Sequence, residues 1–330
     1  MKKTRLEKIL SRFDQVNILV IGDLILDEFI WGTADRISPE APVPVVWAQR
    51  QSTMPGGASN VANNIASLGA NAFLCGIIGE DKNGATLLDQ LQRKRVSCDA
   101  VLTDRLRPTT VKTRIIAAHQ QVVRVDWENV ERLSMEKTNA LVRLIQDKIK
   151  DVDAIIIEDY GKGLITPALL KAVVAEAKKH GKIVTIDPKV EHFSYYKGVT
   201  ALTPNEKEAS AGSGIPIVTK TDADRAGSKL LKKINCKGVL ITQGEKGMTL
   251  YTRGRATHIP TVAQEVFDVS GAGDTVISVF TLALASGASM QEAAVVANLA
   301  AGIVVGKVGV AVATKQEILK AWSRLKGWLS

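Results

Sequence analysis

The chain has 330 residues, a hydrophobic fraction of 45%, only 5% aromatics and a formal net charge of +9. That length buries a large core at the upper end of what one α/β domain holds, and an aliphatic core suits a helix-covered parallel sheet better than a sandwich. The basic residues are spread out, with no basic run interleaved with aromatics, so nucleic acid is not an expected partner and anionic small substrates explain the bias.

Taken in chain order, the N-terminal Lys2, Lys3, Arg5 and Lys8 are followed by an apolar run at 16–21. That run is strand-length and too short for a signal sequence or a membrane span, so a cytoplasmic protein without membrane contact is expected. Further strand-like runs lie at 72–77, 154–157, 182–186, 199–202 and 238–242, and helical stretches at 59–68, 135–150, 166–180 and 222–234. Gly69 and Gly181 stand just past two of these helices, where a left-handed cap favours glycine. Strand–helix alternation predicts βαβ units and a mostly parallel sheet flanked by helices. Two segments break it. One, at about 27–48, carries Trp31-Gly32 and Pro39, Pro42 and Pro44; the other, at about 109–128, alternates Val111, Arg114, Ile116, Val122, Val123 and Val125 with polar residues. Both read as antiparallel ribbons forming a small β lid on a single domain spanning 1–330. Cys75, Cys98 and Cys236 cannot all pair and show no CxxC spacing, so neither a disulfide framework nor a zinc site is expected.

The strongest local signal is Asp268-Val-Ser-Gly271-Ala272-Gly273-Asp274-Thr275, followed by an apolar helix from Val276 to Ala285. Small residues at a helix start leave backbone N–H groups bare, and with the helix dipole they suit a transferring phosphoryl group. Asp274 enters the first turn, where its carboxylate can take a proton from an attacking hydroxyl. Asn205 and Glu208 share one helix face at i and i+3, which suits a hydrated Mg²⁺. Thr242 and Gly244 follow a buried strand, at the edge where open α/β sheets bind ligands. Asp23 and Asp27 end the first strand, where ionised carboxylates accept hydrogen bonds from paired hydroxyls; Asp23 reads equally as a turn residue.

The Asp268–Thr275 segment resembles the second signature of the ribokinase (PfkB) family of carbohydrate kinases. Gly56-Gly57-Ala-Ser-Asn60 resembles that family's glycine-rich sugar-binding element, Asn205-Glu-Lys-Glu208 its NxxE metal motif, and Thr242-Gln-Gly244-Glu-Lys-Gly247 its nucleotide-phosphate turn. No G-x-x-x-x-G-K-[ST] loop occurs, which excludes a P-loop kinase on pattern. The resemblance implies a ribokinase-like fold that uses ATP and Mg²⁺. It implies Asp274 as catalytic base, with the N–H groups of Gly271, Ala272 and Gly273 as anion hole. Asp23, Asp27, Gly56, Gly57 and Asn60 are implied at the sugar, and Asn205 and Glu208 at the metal. Asn205, Thr242, Gly244 and Gly247 are implied at the nucleotide phosphates, and Asn298, Gly302 and Val305 beside the adenine.

Within the family, 37–45, Gln121–Asp126, Asp159-Tyr-Gly-Lys162-Gly and Val184–Lys189 resemble the heptose 7-phosphate kinases of lipopolysaccharide-core synthesis. That implies phosphorylation of D-glycero-β-D-manno-heptose 7-phosphate at the anomeric hydroxyl. A phosphorylated substrate calls for cations away from Asp274, and Arg124, Lys162 and Lys189, together with Arg114, are the candidates. Many relatives carry a C-terminal nucleotidyltransferase with an H-x-G-H motif; none occurs in this sequence, so only the kinase step is expected of it. His119, His180, His192 and His258 show no catalytic or metal spacing and read as structural. The rivals are another sugar kinase of the family and a non-catalytic sugar- or nucleotide-binding scaffold, the latter expected to lose Asp274 or the glycine turn. Exposed lid edges with Val43, Val45, Val46 and Trp47 predict a homodimer through the lid.

Overall fold

The computed structural model describes residues 1–118, 120–263, 265–307 and 309–324. Helix α1 (Lys3–Leu10) and strand β1 (Asn17–Gly22) lead into a long hairpin, β2 (Leu24–Ile37) and β3 (Pro44–Gly57). The chain returns through α2 (Ala58–Ser67), β4 (Asn71–Gly79), α3 (Lys82–Arg93) and β5 (Ser97–Asp104). A second hairpin, β6 (Thr110–Ala117) and β7 (Gln120–Trp127), precedes α4 (Met135–Lys148), β8 (Ala154–Glu158), α5 (Pro167–Lys179), β9 (Ile183–Asp187) and β10 (Ala201–Leu202). Then come α6 (Glu206–Ser213), α7 (Lys220–Ile234), β11 (Gly238–Thr242), β12 (Met248–Thr252) and β13 (Arg255–Ile259). The helices α8 (Ala272–Ala285), α9 (Met290–Val304) and α10 (Lys315–Arg324) follow. His119 and Leu325 lie outside the described residues.

Nine strands form one sheet in the order β13-β12-β11-β10-β9-β8-β1-β4-β5. Strands β5 to β11 in that order run parallel, and only β12 and β13 run antiparallel. The central strands are apolar on both faces because both are covered. In β1, Ile18 and Val20 join the core under α2, α8 and α9, while Leu19 and Ile21 join the core under α4, α5 and α7. Ala154 and Ile156 against Ile155 and Ile157 repeat this alternation in β8.

The two ribbons join into one four-stranded sheet, β3-β2-β6-β7, because β2 and β6 pair in parallel with Asp27 opposite Lys112 and Phe29 opposite Arg114. The first ribbon is longer than the expected 27–48: β2 starts two residues after β1 and β3 runs on to Gly57. Met54-Pro-Gly-Gly lacks the β-branched residues that mark strands, so its pairing with 24–27 left no trace in the sequence. Strands β5, β12 and β13 and helices α1 and α3 also went unread. The expected strand at 199–202 shrinks to two residues, and that at 16–21 becomes β1.

Ile156 is fully buried at the middle of β8. Ile156→Ala is expected to destabilise the protein by about 2–5 kcal/mol, read as a lower urea midpoint at unchanged m-value.

Candidate active site

Asp27, Gly57, Asn60, Gly271 and Asp274 gather around the start of α8. This helix is buried from Asp274 to Leu284, so its N-terminus is held by the core on every side. Inside that apolar setting Ser278 and Thr281 return their hydroxyls to the carbonyls of Asp274 and Ile277. Gly271 precedes the helix with φ of 75°, and a Cβ there would meet Asn60 Nδ2 at 2.9 Å. Ala272 N–H donates to the Val269 carbonyl at 3.2 Å. Of the three expected anion donors, the N–H groups of Gly271 and Gly273 are therefore the open ones among the described residues, and Ala272 is a correction to the set.

Asp274 is 5% exposed. Its Oδ2 accepts from Asn60 Nδ2 at 2.7 Å and its Oδ1 from the Tyr160 hydroxyl at 3.0 Å. Burial pushes its carboxyl up to about 6, the two donors pull it down, and Asp27 pushes it up again. Asn60 thus acts on the base, a different role from the expected sugar contact. Tyr160 went unlisted as a site residue, although it lies just past a buried strand and inside the Asp159-Tyr-Gly-Lys162-Gly segment.

A cavity of about 100 Å³ opens on Asp274, walled by Tyr160, Gly57, Gly271 and Ser270 and, from the lid, by Ile25, Asp27, Lys112 and Arg114. Asp27 Oδ1 accepts from Arg114 Nη1 at 2.6 Å, and Gly56 makes room for the carboxylate, since a Cβ there would fall 2.4 Å from Asp27 Oδ2. Asp23 does not face the cavity as a sugar ligand. Its Oδ2 takes the N–H groups of Tyr160 and Lys162 at 2.9 and 3.0 Å, so the turn reading holds, and burial pushes its carboxyl up to about 6. Gly57, at φ of 53°, lets the β3–α2 turn pack on the Asp23 carbonyl.

The predicted cations divide. Arg124 lies on the exposed strand β7 and pairs with Asp126 at 2.8 Å, and Lys162 pairs with Glu128 at 2.6 Å. The Lys189 stem lies against Gly161, and Arg114 is held by Asp27. Lys112, unlisted in the sequence reading, is buried beside the cavity, and burial followed by Lys162 lowers its ammonium from the usual value.

Asn205 and Glu208 cap α6 reciprocally: Asn205 Oδ1 accepts from Glu208 N–H and Glu208 Oε2 from Asn205 N–H, both at 2.9 Å. Nearby, Glu158 is 0% exposed and its carboxylate has no donor from a non-acidic group among the described residues, its side-chain partner being the Asp187 carboxyl. It pairs in register with Asp187, whose Oδ1 accepts from Thr203. Burial, then neighbouring acids, pushes both carboxyls well above the usual range; burial also raises Glu208. Among the described residues no three acidic, His or Cys side chains converge on one point. Orphaned acid oxygens spread round a phosphoryl site suit a divalent ion that keeps several waters.

Toward the nucleotide side, Thr242 N–H donates to the Pro204 carbonyl and the 205 and 242 backbones bridge. Gly244 faces open space at φ of 58°, whereas Gly247 is bare because a Cβ would meet the Ile259 carbonyl at 2.2 Å. A groove of about 820 Å³ is lined by Val262, Ala263, Phe267, Gly302, Ile303 and Lys307 among others. Gly302 lies in it. Asn298 does not: it is buried and donates to the Pro260 carbonyl at 2.7 Å. Val305 braces the rim, its carbonyl accepting from Phe267 N–H at 2.8 Å.

Raising Asp274 from 3.8 to about 6 makes its ionised form destabilising by about 3 kcal/mol. The penalty is absent below the unfolded value, grows as pH rises from about 4 to 6 and is full above. Asp274→Asn is therefore expected to raise the melting temperature at pH 7.5 and to leave it nearly unchanged at pH 4.

Residues 16–317 match the family model described as pfkB family carbohydrate kinase. The chain is 44% identical over 320 residues to the bifunctional protein HldE of Citrifermentans bemidjiense, and 45% identical over 322 residues to that of Pelobacter propionicus. Each alignment covers 97% of this chain and 66% of the relative, so the chain spans just under two thirds of their length. Escherichia coli phosphofructokinase-2 with potassium superposes with a TM-score of 0.79 at 20% identity, covering 94% of this chain and 99% of that one. Arabidopsis thaliana ribokinase with ribose and ATP gives 0.74 at 22%, covering 93% and 98%, and both likenesses establish a ribokinase-like fold. No described helix is long and apolar enough to cross a membrane. With this match over most of its length, the chain belongs to the pfkB family of carbohydrate kinases.

Proposed function

We propose that this protein phosphorylates D-glycero-β-D-manno-heptose 7-phosphate at its C1 hydroxyl with ATP, giving the 1,7-bisphosphate. The observation that carries this reading is the small cavity with a buried carboxylate at one end and two lid cations, Lys112 and Arg114, on its wall. A neutral sugar has no use for a buried ammonium, whereas a sugar phosphate does. The shared description HldE among the relatives supports the same substrate.

In this mechanism Asp27 holds sugar hydroxyls and the Gly57 backbone allows close approach. Asp274 Oδ1 or Oδ2 takes the proton from the attacking hydroxyl, oriented by Tyr160 and Asn60. The Gly271 and Gly273 N–H groups at the α8 N-terminus hold the charge that grows on the phosphoryl oxygens. Asn205 and Glu208, with Glu158 and Asp187 behind them, would hold Mg²⁺, which neutralises phosphate charge when bound. The groove beside Gly302 would take the adenine, and Lys162, Lys189 and Arg124 would be recruited from their present partners as the lid meets substrate.

ADP release with ATP, Mg²⁺ and a panel of heptose 7-phosphate, unphosphorylated heptose, fructose 6-phosphate and ribose tests the reading. Heptose 7-phosphate is expected to win, kcat is expected to fall as pH drops through about 6 because Asp274 must be ionised, and Asp274→Asn to lose roughly 10²–10⁴-fold in kcat while still binding substrate. A win for fructose 6-phosphate or ribose keeps the chemistry and overturns the substrate. Binding without turnover favours a non-catalytic scaffold.

The lid leaves Ile37, Val43, Trp47 and Trp127 exposed, Trp47 at 71%. A second copy would cover them, so the protein is expected to be a cytoplasmic homodimer through the lid. Trp47→Glu is then expected to shift its sedimentation toward the monomer; a wild-type monomer at micromolar concentration would refute this.

A further inference from the structure

His192 carries more than the structural role its sequence context suggested. Its Nδ1 lies 2.7 Å from Oδ2 of Asp159, whose side chain is wholly buried. The same Oδ2 accepts from the Tyr196 hydroxyl at 2.8 Å, and Oδ1 accepts from Gly161 N–H at 2.9 Å. The His192 ring stacks on Tyr195 with centroids 5.0 Å apart. None of these groups touches the cavity, and the phosphoryl-transfer chemistry above uses none of them.

What they hold is the 159–163 loop. Gly161 and Gly163 sit at φ of 69° and 85°, so the loop's backbone is freer than its neighbours and depends on outside anchors. Arg107 supplies one, its Nη1 donating to the Lys162 carbonyl at 2.7 Å. Leu133 supplies another, its N–H donating to the Gly163 carbonyl at 3.1 Å, and the Asp159 side chain supplies a third at the loop's start. So held, the loop presents the N–H groups of Tyr160 and Lys162 to Asp23 and the Tyr160 hydroxyl to Asp274.

We propose that His192 is a positioning residue for Asp274, acting through Asp159 and the 159–163 loop. This rests on the reading of Asp274 as the base. Without His192, a fully buried carboxylate loses one of its three hydrogen-bond partners, which is destabilising and favours a shift of the group toward new ones. Gly161 and Tyr160 move with it, and Asp274 loses one of its two donors. The charged groups facing His192 are Asp159, Glu191 and Asp23, and its pairing with Asp159 raises the imidazole above the usual value. Those facing Asp274 are Asp27, Glu158 and Asp187, with Lys112 and Arg114 across the cavity.

The test is a double-mutant cycle of His192→Phe and Tyr160→Phe on whichever panel sugar the wild type turns over. Each single change is expected to lower kcat roughly 10- to 100-fold with little change in KM for ATP, and the double mutant is expected to be no slower than Tyr160→Phe alone. Multiplying effects, or an unchanged kcat for His192→Phe, would overturn the proposal. If His192→Phe does not fold, Tyr196→Phe removes a donor from the same carboxylate and takes its place in the cycle.

A second readout needs no sugar. The stability gained by Asp274→Asn is measured against pH with and without His192→Phe. Losing the Tyr160 donor raises Asp274, so the midpoint of that gain is expected to move above the parent's, which lies between the ordinary value of 3.8 and the folded value of about 6. A stationary midpoint overturns the positioning role, whereas a panel that yields no turnover overturns only the kinase reading.

Discussion

A carboxylate held away from water must find donors, and here two distant parts of the chain converge to supply them. Asn60 comes from the first turn of α2 and Tyr160 from the loop after β8, and they reach opposite oxygens of Asp274 at the first turn of α8. The helix itself cannot drift, because it is buried along nearly its whole length between the sheet, α2 and α9. Strands β1, β8 and β9 are spaced by backbone hydrogen bonds, so the distance between the two donors is set by the core. The arrangement keeps an ionisable group ready near neutrality in a place where a free carboxyl would stay protonated.

The same economy explains the unsatisfied acids beside it. Glu158 and Asp187 occupy paired positions at the ends of adjacent strands, where both cannot ionise without help. A proton shared between the two relieves them in part, and in the mechanism proposed above a divalent cation would relieve them further.

Much of this was legible in the residues. The apolar runs at 154–157 and 238–242 gave strands because fully covered parallel strands are apolar on both faces, and the Asp268–Thr275 segment marked the helix start through its small residues. The rest was hidden for physical reasons. Asp23 and Asp27 look alike in sequence, but one is spent on backbone N–H groups and the other opens on the cavity. Asn298 looked like a wall residue, yet its amide is committed to a carbonyl across the rim. Tyr160 and Lys112 matter through what they approach in space, and nothing in their local sequence announces those neighbours. Arg107, which holds three carbonyls from two loops, is illegible for the same reason.

Strand β2 leaves the main sheet after a single intervening residue and then runs for 14 residues through the lid, pairing with β6 from Ile25 to Gly32. In the mechanism proposed above, reactivity and recognition would therefore sit on separate mechanical parts: the base and anion site on an immobilised helix, the groups that sort sugars on a projecting sheet. The outer part of β2, from Ile30 to Ile37, can vary freely, whereas Leu24, Leu26 and Val111 pack into the core that carries α8. A lineage built on this plan can change its diet while leaving its engine untouched.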